Sequence, residues 1–251
     1  MITTALITGA SSGFGLAITE RFLSEGALVI ACARRVDRLA ALAQRHPGRV
    51  FVLALDITSK AAVRDALTNI PAPFADVDVL VNNAGLALGL TPAHEANLDE
   101  WDRMIETNCA GLVHVTRAML PRMVARGKGT VVNLGSVAGE FPYPGGNVYG
   151  ATKAFVHQFT QNLNADLIGT GIRASCIEPG LCGGTEFSNV RFSGDERRAN
   201  AVYRGTEPLS ANDIAEVVSW ISRQPAHVTI NVVSMMPNCQ SFSGLAVKRA
   251  A

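Results

Sequence analysis

Tyr149 and Lys153 stand four residues apart in GNVYGATKAF, residues 146–155, so a helix there would set a phenol and an ammonium one turn apart. With a reference pKa of about 10, a phenol serves as a base around neutral pH only if its anion is stabilised, and a neighbouring cation stabilises it. The pair suits acid-base work at a hydroxyl, and it suits a solvated helix face equally well. Upstream, TGASSGFG, residues 8–15, comprises Gly9, Ala10, Ser11, Ser12, Gly13, Phe14 and Gly15 after its threonine. It leads from an apolar run into the helical pattern Leu16, Ala17, Ile18, Phe22, Leu23. A strand, a glycine-rich turn and a helix start in that order let backbone amides and the helix dipole hold a pyrophosphate. The spacing is G-x-x-x-G-x-G, which a tight turn that binds nothing would share.

Roughly 20 residues further on, an NAD site carries an acidic residue at the end of the second strand. This chain reads ACARR there, ending in Arg34 and Arg35. Two guanidinium groups would welcome a 2′-phosphate through charge-assisted bonds, so NADP is expected over NAD. Either arginine alone could equally begin the solvated helix that follows.

The elements that must position these residues are readable as short apolar runs: 2–8, 27–33, 49–55, 77–82, 129–134, 172–177 and 227–233. They are mostly continuous rather than alternating, as in strands covered on both faces. Helical patterns separate most of them: Ala17 to Leu23, Val36 to Ala43, Ala62 to Leu67, a long stretch from about Leu98 to Val124, and Ser210 to Ser222. This alternation predicts an α/β fold, a Rossmann-like doubly wound parallel sheet of about seven strands flanked by helices. A long irregular segment from Pro179 to about Leu209 reads as a lid, because loops of that length inside compact domains are usually functional.

With 251 residues, 48% of them hydrophobic, one domain over 1–251 is expected. Lys+Arg 22 against Asp+Glu 21, without a basic run, argues against a nucleic-acid partner. No apolar run is long enough for a bilayer, and the N-terminal run lacks the length and basic flank of a signal peptide. Five scattered cysteines without C-x-x-C spacing fit a reducing cytoplasm, and five dispersed histidines give no ligand pair, so no metal is expected.

TGASSGFG, NNAG at 82–85, Asn108, the serine of NLGSVAG, YGATK and EPG occur in an order and spacing that resemble the short-chain dehydrogenase/reductase family over nearly the whole chain. The resemblance implies a catalytic tetrad of Asn108, Ser136, Tyr149 and Lys153. Tyr149 would exchange a proton with the reacting oxygen while hydride passes to or from the nicotinamide, and Ser136 would hold that oxygen. Lys153 would supply positive charge and bond the nicotinamide ribose, and Asn108 would anchor a water beside Lys153. Asp56 and Ile57 would touch the adenine, Asn83, Ala84 and Gly85 the adenosine ribose, and Pro179 and Gly180 would lead to the nicotinamide. In P-G-L-C-G-G-T, Thr185 falls five residues after Gly180, one later than in many members, so backbone groups of Leu181, Cys182 and Gly183 could take over the carboxamide contact.

The runs NNAGLALGLTPAH, PYPGGNVYGATKAF and EPGLCGGTEFSNVRF look like NADP-dependent 3-hydroxy acid dehydrogenases, acting on L-allo-threonine, serine or malonic semialdehyde. A carboxylate on the substrate needs a cation, and Arg191, flanked by Phe187 and Phe192, is the candidate in the lid. Asn147 is a second candidate at the mouth of the site, or a helix cap. The same chemistry on a larger or uncharged carbonyl compound stays open, while an NADPH sensor without activity would not need an intact tetrad. The family commonly forms tetramers, so a homo-oligomer is expected.

Overall fold

The computed structural model describes residues 4–241. Seven parallel strands form one sheet in the order β3-β2-β1-β4-β5-β6-β7. They are β1 (Thr4–Thr8), β2 (Leu28–Ala33), β3 (Val50–Ala54), β4 (Val79–Asn82), β5 (Gly129–Leu134), β6 (Ile172–Pro179) and β7 (Val232–Met235). Residues 2 and 3 of the expected first strand lie outside the described residues. Nine α-helices are described: α1 (Gly13–Ser24), α2 (Val36–Arg45), α3 (Lys60–Thr68), α4 (Leu98–Ile105), α5 (Leu112–Arg126), α6 (Asn147–Asp166), α7 (Phe187–Arg191), α8 (Glu196–Ala201) and α9 (Ala211–Ser222).

The apolar strands are explained by helices on both faces of the sheet. Along β1, Ala5 and Ile7 face a core shared with Phe22 of α1, Leu39 of α2 and Val218 of α9. Leu6 points the other way, into a core with Val63 of α3, Val115 and Met119 of α5 and Leu163 of α6. Burying each such side chain stabilises the fold by about 1.5–3 kcal/mol. Strand order reverses between β1 and β4, and the crevice at such a switch point is where ligands of open α/β sheets bind. The Thr8 hydroxyl ties the two strand ends together, accepting from the amides of Asn83 and Ala84, both at 3.0 Å.

Three expectations are corrected. The last strand starts at Val232 rather than at 227, because the approaching backbone is hydrogen-bonded elsewhere. Arg173 Nη1 donates to the carbonyls of Gln224, Pro225 and Val228 at 2.8–2.9 Å, and pairing begins only where Val232 meets Cys176. The long helix 98–124 is broken by a π-turn at Glu106–Gly111. The lid is not irregular, since it carries α7 and α8 and its two ends are joined by a Cys182–Leu209 bridge.

Candidate active site

The glycine-rich turn follows β1 directly. Gly9 and Gly13 take φ of +67° and +52°, a region closed to most side chains. A Cβ on Gly15 would lie 2.2 Å from the Gly9 carbonyl oxygen, so the helix start can approach the turn only without one. Beyond this turn lies a cleft of about 400 Å³. One end is lined by Ser11, Ser12, Arg34, Arg35, Asp56 and Ile57, the middle by Asn83, Ala84 and Gly85, and the other end by Leu134, Tyr149 and Lys153. Ala10 and Gly15 shape the turn without lining the cleft. Asp56 is held below the usual carboxylate range mainly by the Thr58 amide, with help from the Thr58 hydroxyl and Arg34.

Arg35 stands at the cleft mouth, with Nη2 donating to Ser12 Oγ and to Glu186 Oε2, both at 2.9 Å. Glu186 also accepts from Arg38 Nη1 at 2.7 Å. Neither Glu186 nor Arg38 was legible as a site residue from the sequence. Arg38 lies three positions after Arg35, which puts both on one helical face and was the available signal. Glu186 carried none, because its partners lie about 150 residues away in the chain.

At the other end, α6 is drawn against the turn after β5 by two glycines. A Cβ on Gly150 would lie 2.8 Å from the Ala138 carbonyl oxygen, and one on Gly139 would lie 2.7 Å from the Lys153 carbonyl carbon. This contact brings Ser136, which follows β5, to the phenol of Tyr149. Burial pushes the Tyr149 pKa up to about 12, opposed by a hydrogen bond from Ser136 and by the charge of Arg191. Burial pulls Lys153 down to about 8. Its Nζ donates to the Leu134 carbonyl at 2.7 Å and sits 5.8 Å from the centre of the Tyr149 ring. Two cations thus stand beside the phenol, the expected Lys153 and also Arg191, whose charge lowers the Tyr149 pKa.

The Asn108 side chain is held by protein groups. In the π-turn it is buried, with both amide hydrogens engaged, one by the Leu86 carbonyl at 2.8 Å and one by the Thr152 hydroxyl at 3.0 Å. Its oxygen accepts from the Leu86 amide at 2.9 Å. The side chain thus braces the segment after β4 against α6, with Gly85 and Lys153 alongside.

A second cavity, of about 270 Å³, adjoins the cleft and shares Tyr149, Phe14, Gly135, Thr185 and Phe187 with it. Ser136, Tyr143, Pro179, Gly180, Leu181, Cys182, Arg191 and Tyr203 line the rest. The Arg191 guanidinium carbon lies 5.3 Å from the centre of the Tyr149 ring and 5.6 Å from those of Tyr143 and Phe187. It donates from Nη2 to the Tyr143 hydroxyl, while its buried Nε has no hydrogen-bond partner among the described residues. Phe192 turns away to Arg198 and leaves this cage to Tyr143. Tyr143 was not anticipated from the sequence, although it lies in the same run as Tyr149.

Thr185 lines both cavities and reaches the Gly13 turn, so its later position still brings it to the junction. The Leu181 amide donates to Gln240 Oε1, the Leu209 amide donates to the Leu181 carbonyl, and the Gly183 amide donates to the Leu209 carbonyl. The amides of Leu181 and Gly183 are thereby taken, while the Leu181 carbonyl keeps a second lone pair and the Cys182 amide and carbonyl and the Gly183 carbonyl stand outside these bonds. Asn147 lines neither cavity: it donates to the Thr91 carbonyl and accepts from the Val148 amide at its own helix start. His157, Cys176 and Glu178 bring potential ligand atoms within 4.8 Å of one another. Burial pushes the Cys176 thiol up to about 12, and the His157 Nδ1 sits 2.6 Å from the Glu178 carboxylate.

The sequence model of the family described as short chain dehydrogenase matches residues 3–196. The chain is 52% identical over 244 residues to the NADP-dependent 3-hydroxy acid dehydrogenase YdfG of Escherichia coli (strain K12), covering 97% of this chain and 98% of that protein. It is 48% identical to the serine 3-dehydrogenase of Rhizobium radiobacter, over 99% of both chains. A solved closed form of serine dehydrogenase complexed with NADP+ superposes with a TM-score of 0.97, at 52% identity over 99% of this chain and 100% of that one.

Proposed function

Since the chain belongs to the short chain dehydrogenase family and is an NADP-dependent enzyme acting on hydroxyl groups, we propose that it interconverts small 3-hydroxy acids, such as serine, L-allo-threonine and 3-hydroxypropionate, with their 3-oxo acids or semialdehydes. The observation that carries this reading is Arg191, which lines the small aromatic cavity with its guanidinium caged by Tyr149, Tyr143 and Phe187. A guanidinium in such a place binds a carboxylate through a paired fork, and would hold the acid group of a substrate whose hydroxyl lies at Tyr149.

The cleft fits NADP: a glycine turn for the pyrophosphate, Arg34 and Arg35 for the 2′-phosphate, and Tyr149 and Lys153 at the nicotinamide end. When bound, the cofactor supplies the hydride acceptor or donor. Tyr149 gives its proton to the carbonyl oxygen in reduction and takes it back from the alcohol in oxidation. With its pKa near 12, the phenol is held in the donor state at neutral pH. The charge of Arg191 and the Ser136 hydroxyl supply the stabilisation that the reverse step requires. Lys153 would position the ribose, and Asn108 would keep Lys153 and Leu86 in place.

The test is an assay with NADP+ of 3-hydroxy acids beside neutral alcohols of equal size. Arg191→Ala should raise KM for serine about tenfold or more, the loss of a charged hydrogen-bond pair, and leave the neutral alcohol nearly unchanged. Preference of the native enzyme for neutral or larger alcohols would replace this reading by that of a general carbonyl reductase. We also place the enzyme in the cytoplasm as a homo-oligomer. Unpaired Cys32, Cys109, Cys176, Cys182 and Cys239 support the first, and the exposed Phe155, stacked on Phe159 of α6, supports the second. Among the described residues no helix is long and apolar enough to cross a membrane.

A further inference from the structure

Three observations converge on Glu186. Its carboxylate bridges two arginines at the start of α2, Arg35 at 2.9 Å and Arg38 at 2.7 Å, across the mouth of the cofactor cleft. It directly precedes α7, so the next residue is Phe187, whose ring meets Tyr149 edge-on at 5.9 Å, and the last residue of α7 is Arg191. Among the described residues it is also the only acidic group lining the cleft mouth from the lid side. The short helix α7 therefore has one end fastened to the cations of the phosphate end and the other end resting on the phenol.

We propose that Glu186 is a positioning residue: by clasping Arg35 and Arg38 it closes the lid over the cofactor and sets Phe187 and Arg191 against Tyr149. The clasp rests on the reading of Arg191 as the substrate's anchor only for its effect on substrate, because its effect on the cofactor follows from where it crosses the cleft. Both arginines hold the carboxylate well below the ordinary carboxylate range, so the clasp is charged throughout the neutral range. Donor geometry allows Arg35 to serve two acceptors. Its Nη2 is shared between Ser12 and Glu186, which leaves Nη1 and Nε for a phosphate. Arg38 does not line the cleft, so its link to Glu186 can be cut without touching the cofactor.

The experiment is a double-mutant cycle on the full-length enzyme with Glu186→Gln, Arg38→Gln and both together, read as the NADPH dissociation rate by stopped-flow fluorescence. Solvent-exposed pairs contribute weakly, so each single change should speed dissociation by about 1.5-fold to fivefold, Glu186→Gln more than Arg38→Gln because it releases both arginines. The double variant should dissociate no faster than Glu186→Gln alone, because the Arg38 link is already cut there. Effects that multiply, or no change in either single variant, overturn the clasp. In the same proteins the KM for serine should rise with kcat less affected, whereas a lid that had merely unfolded would lower kcat as well. Binding of 2′,5′-ADP against 5′-ADP to the native enzyme separates the premises. Equal affinities would sink the reading of the arginines as the phosphate site, and a preserved preference beside an additive cycle would sink the clasp alone.

Discussion

The two ends of the cleft hold their cations in opposite surroundings. At the phosphate end, the Arg35 and Arg38 side chains are 47% and 44% exposed and paired with a carboxylate in water. At the hydride end Lys153 is 7% exposed and Tyr149 8%, with pKa values displaced to about 8 and about 12. Exposed charge recognises by attraction that salt can screen, and here it only holds Glu186 in the ionised form that neutral pH already favours. Buried charge is costly, so it shifts protonation and can take part in proton transfer. In the proposed reading, one cleft thus separates recognition from chemistry by depth.

That separation breaks most visibly at Tyr149. Tyr149→Phe should cut turnover by about a thousandfold, the range of a lost general acid-base, while NADPH binds nearly as before in a fluorescence titration. Retained turnover would move the proton transfer elsewhere. At the exposed end, Arg35→Ala should weaken NADPH by about tenfold, the loss of charged hydrogen bonds to a phosphate, with NADH affinity almost unchanged. The difference should shrink in high salt; a salt-independent loss would mean that Arg35 acts through structure.

The smallest effect is one of stability. Lys153 is depressed from 10.5 in an exposed chain to about 8 in the fold. Between those values the unfolded chain binds a proton that the folded protein does not, so the contribution of Lys153 to stability rises with pH across this window. Cys32, Cys176 and Cys182, raised by burial from 9 to about 12, lower stability above pH 9, and Tyr149 does so above pH 10. In urea melts the stability of Lys153→Met should therefore fall more steeply between pH 8 and 10 than that of the native protein, and identical slopes would show that Lys153 does not contribute there.

What the sequence disclosed follows the same division of depth. Strands buried on both faces must be apolar throughout, so β1, β2, β4 and β5 stood out as runs. The edge strand β7 was displaced because apolar residues just before it continue the pattern while Arg173 binds their carbonyls. Helices α7 and α8, five and six residues long, are too short to show a helical period. Tyr149, Lys153 and the glycine turn are local patterns and could be read. The pairing of Glu186 with Arg35, and of Arg191 with Tyr143, joins distant segments and exists only in the fold.

The π-turn at Glu106–Gly111 has a consequence for chain length. Such a turn is a helix that has absorbed one surplus residue in a bulge, and the backbone stays right-handed helical from α4 through it into α5. Deleting a single residue there should leave both flanking helices seated, Met104 below Leu88 and Met119 in the core, while the bulge that aims Asn108 at Leu86 disappears. An indel elsewhere in a buried helix would swing every later side chain out of register; here it would spare the scaffold and strike the brace behind Lys153 alone.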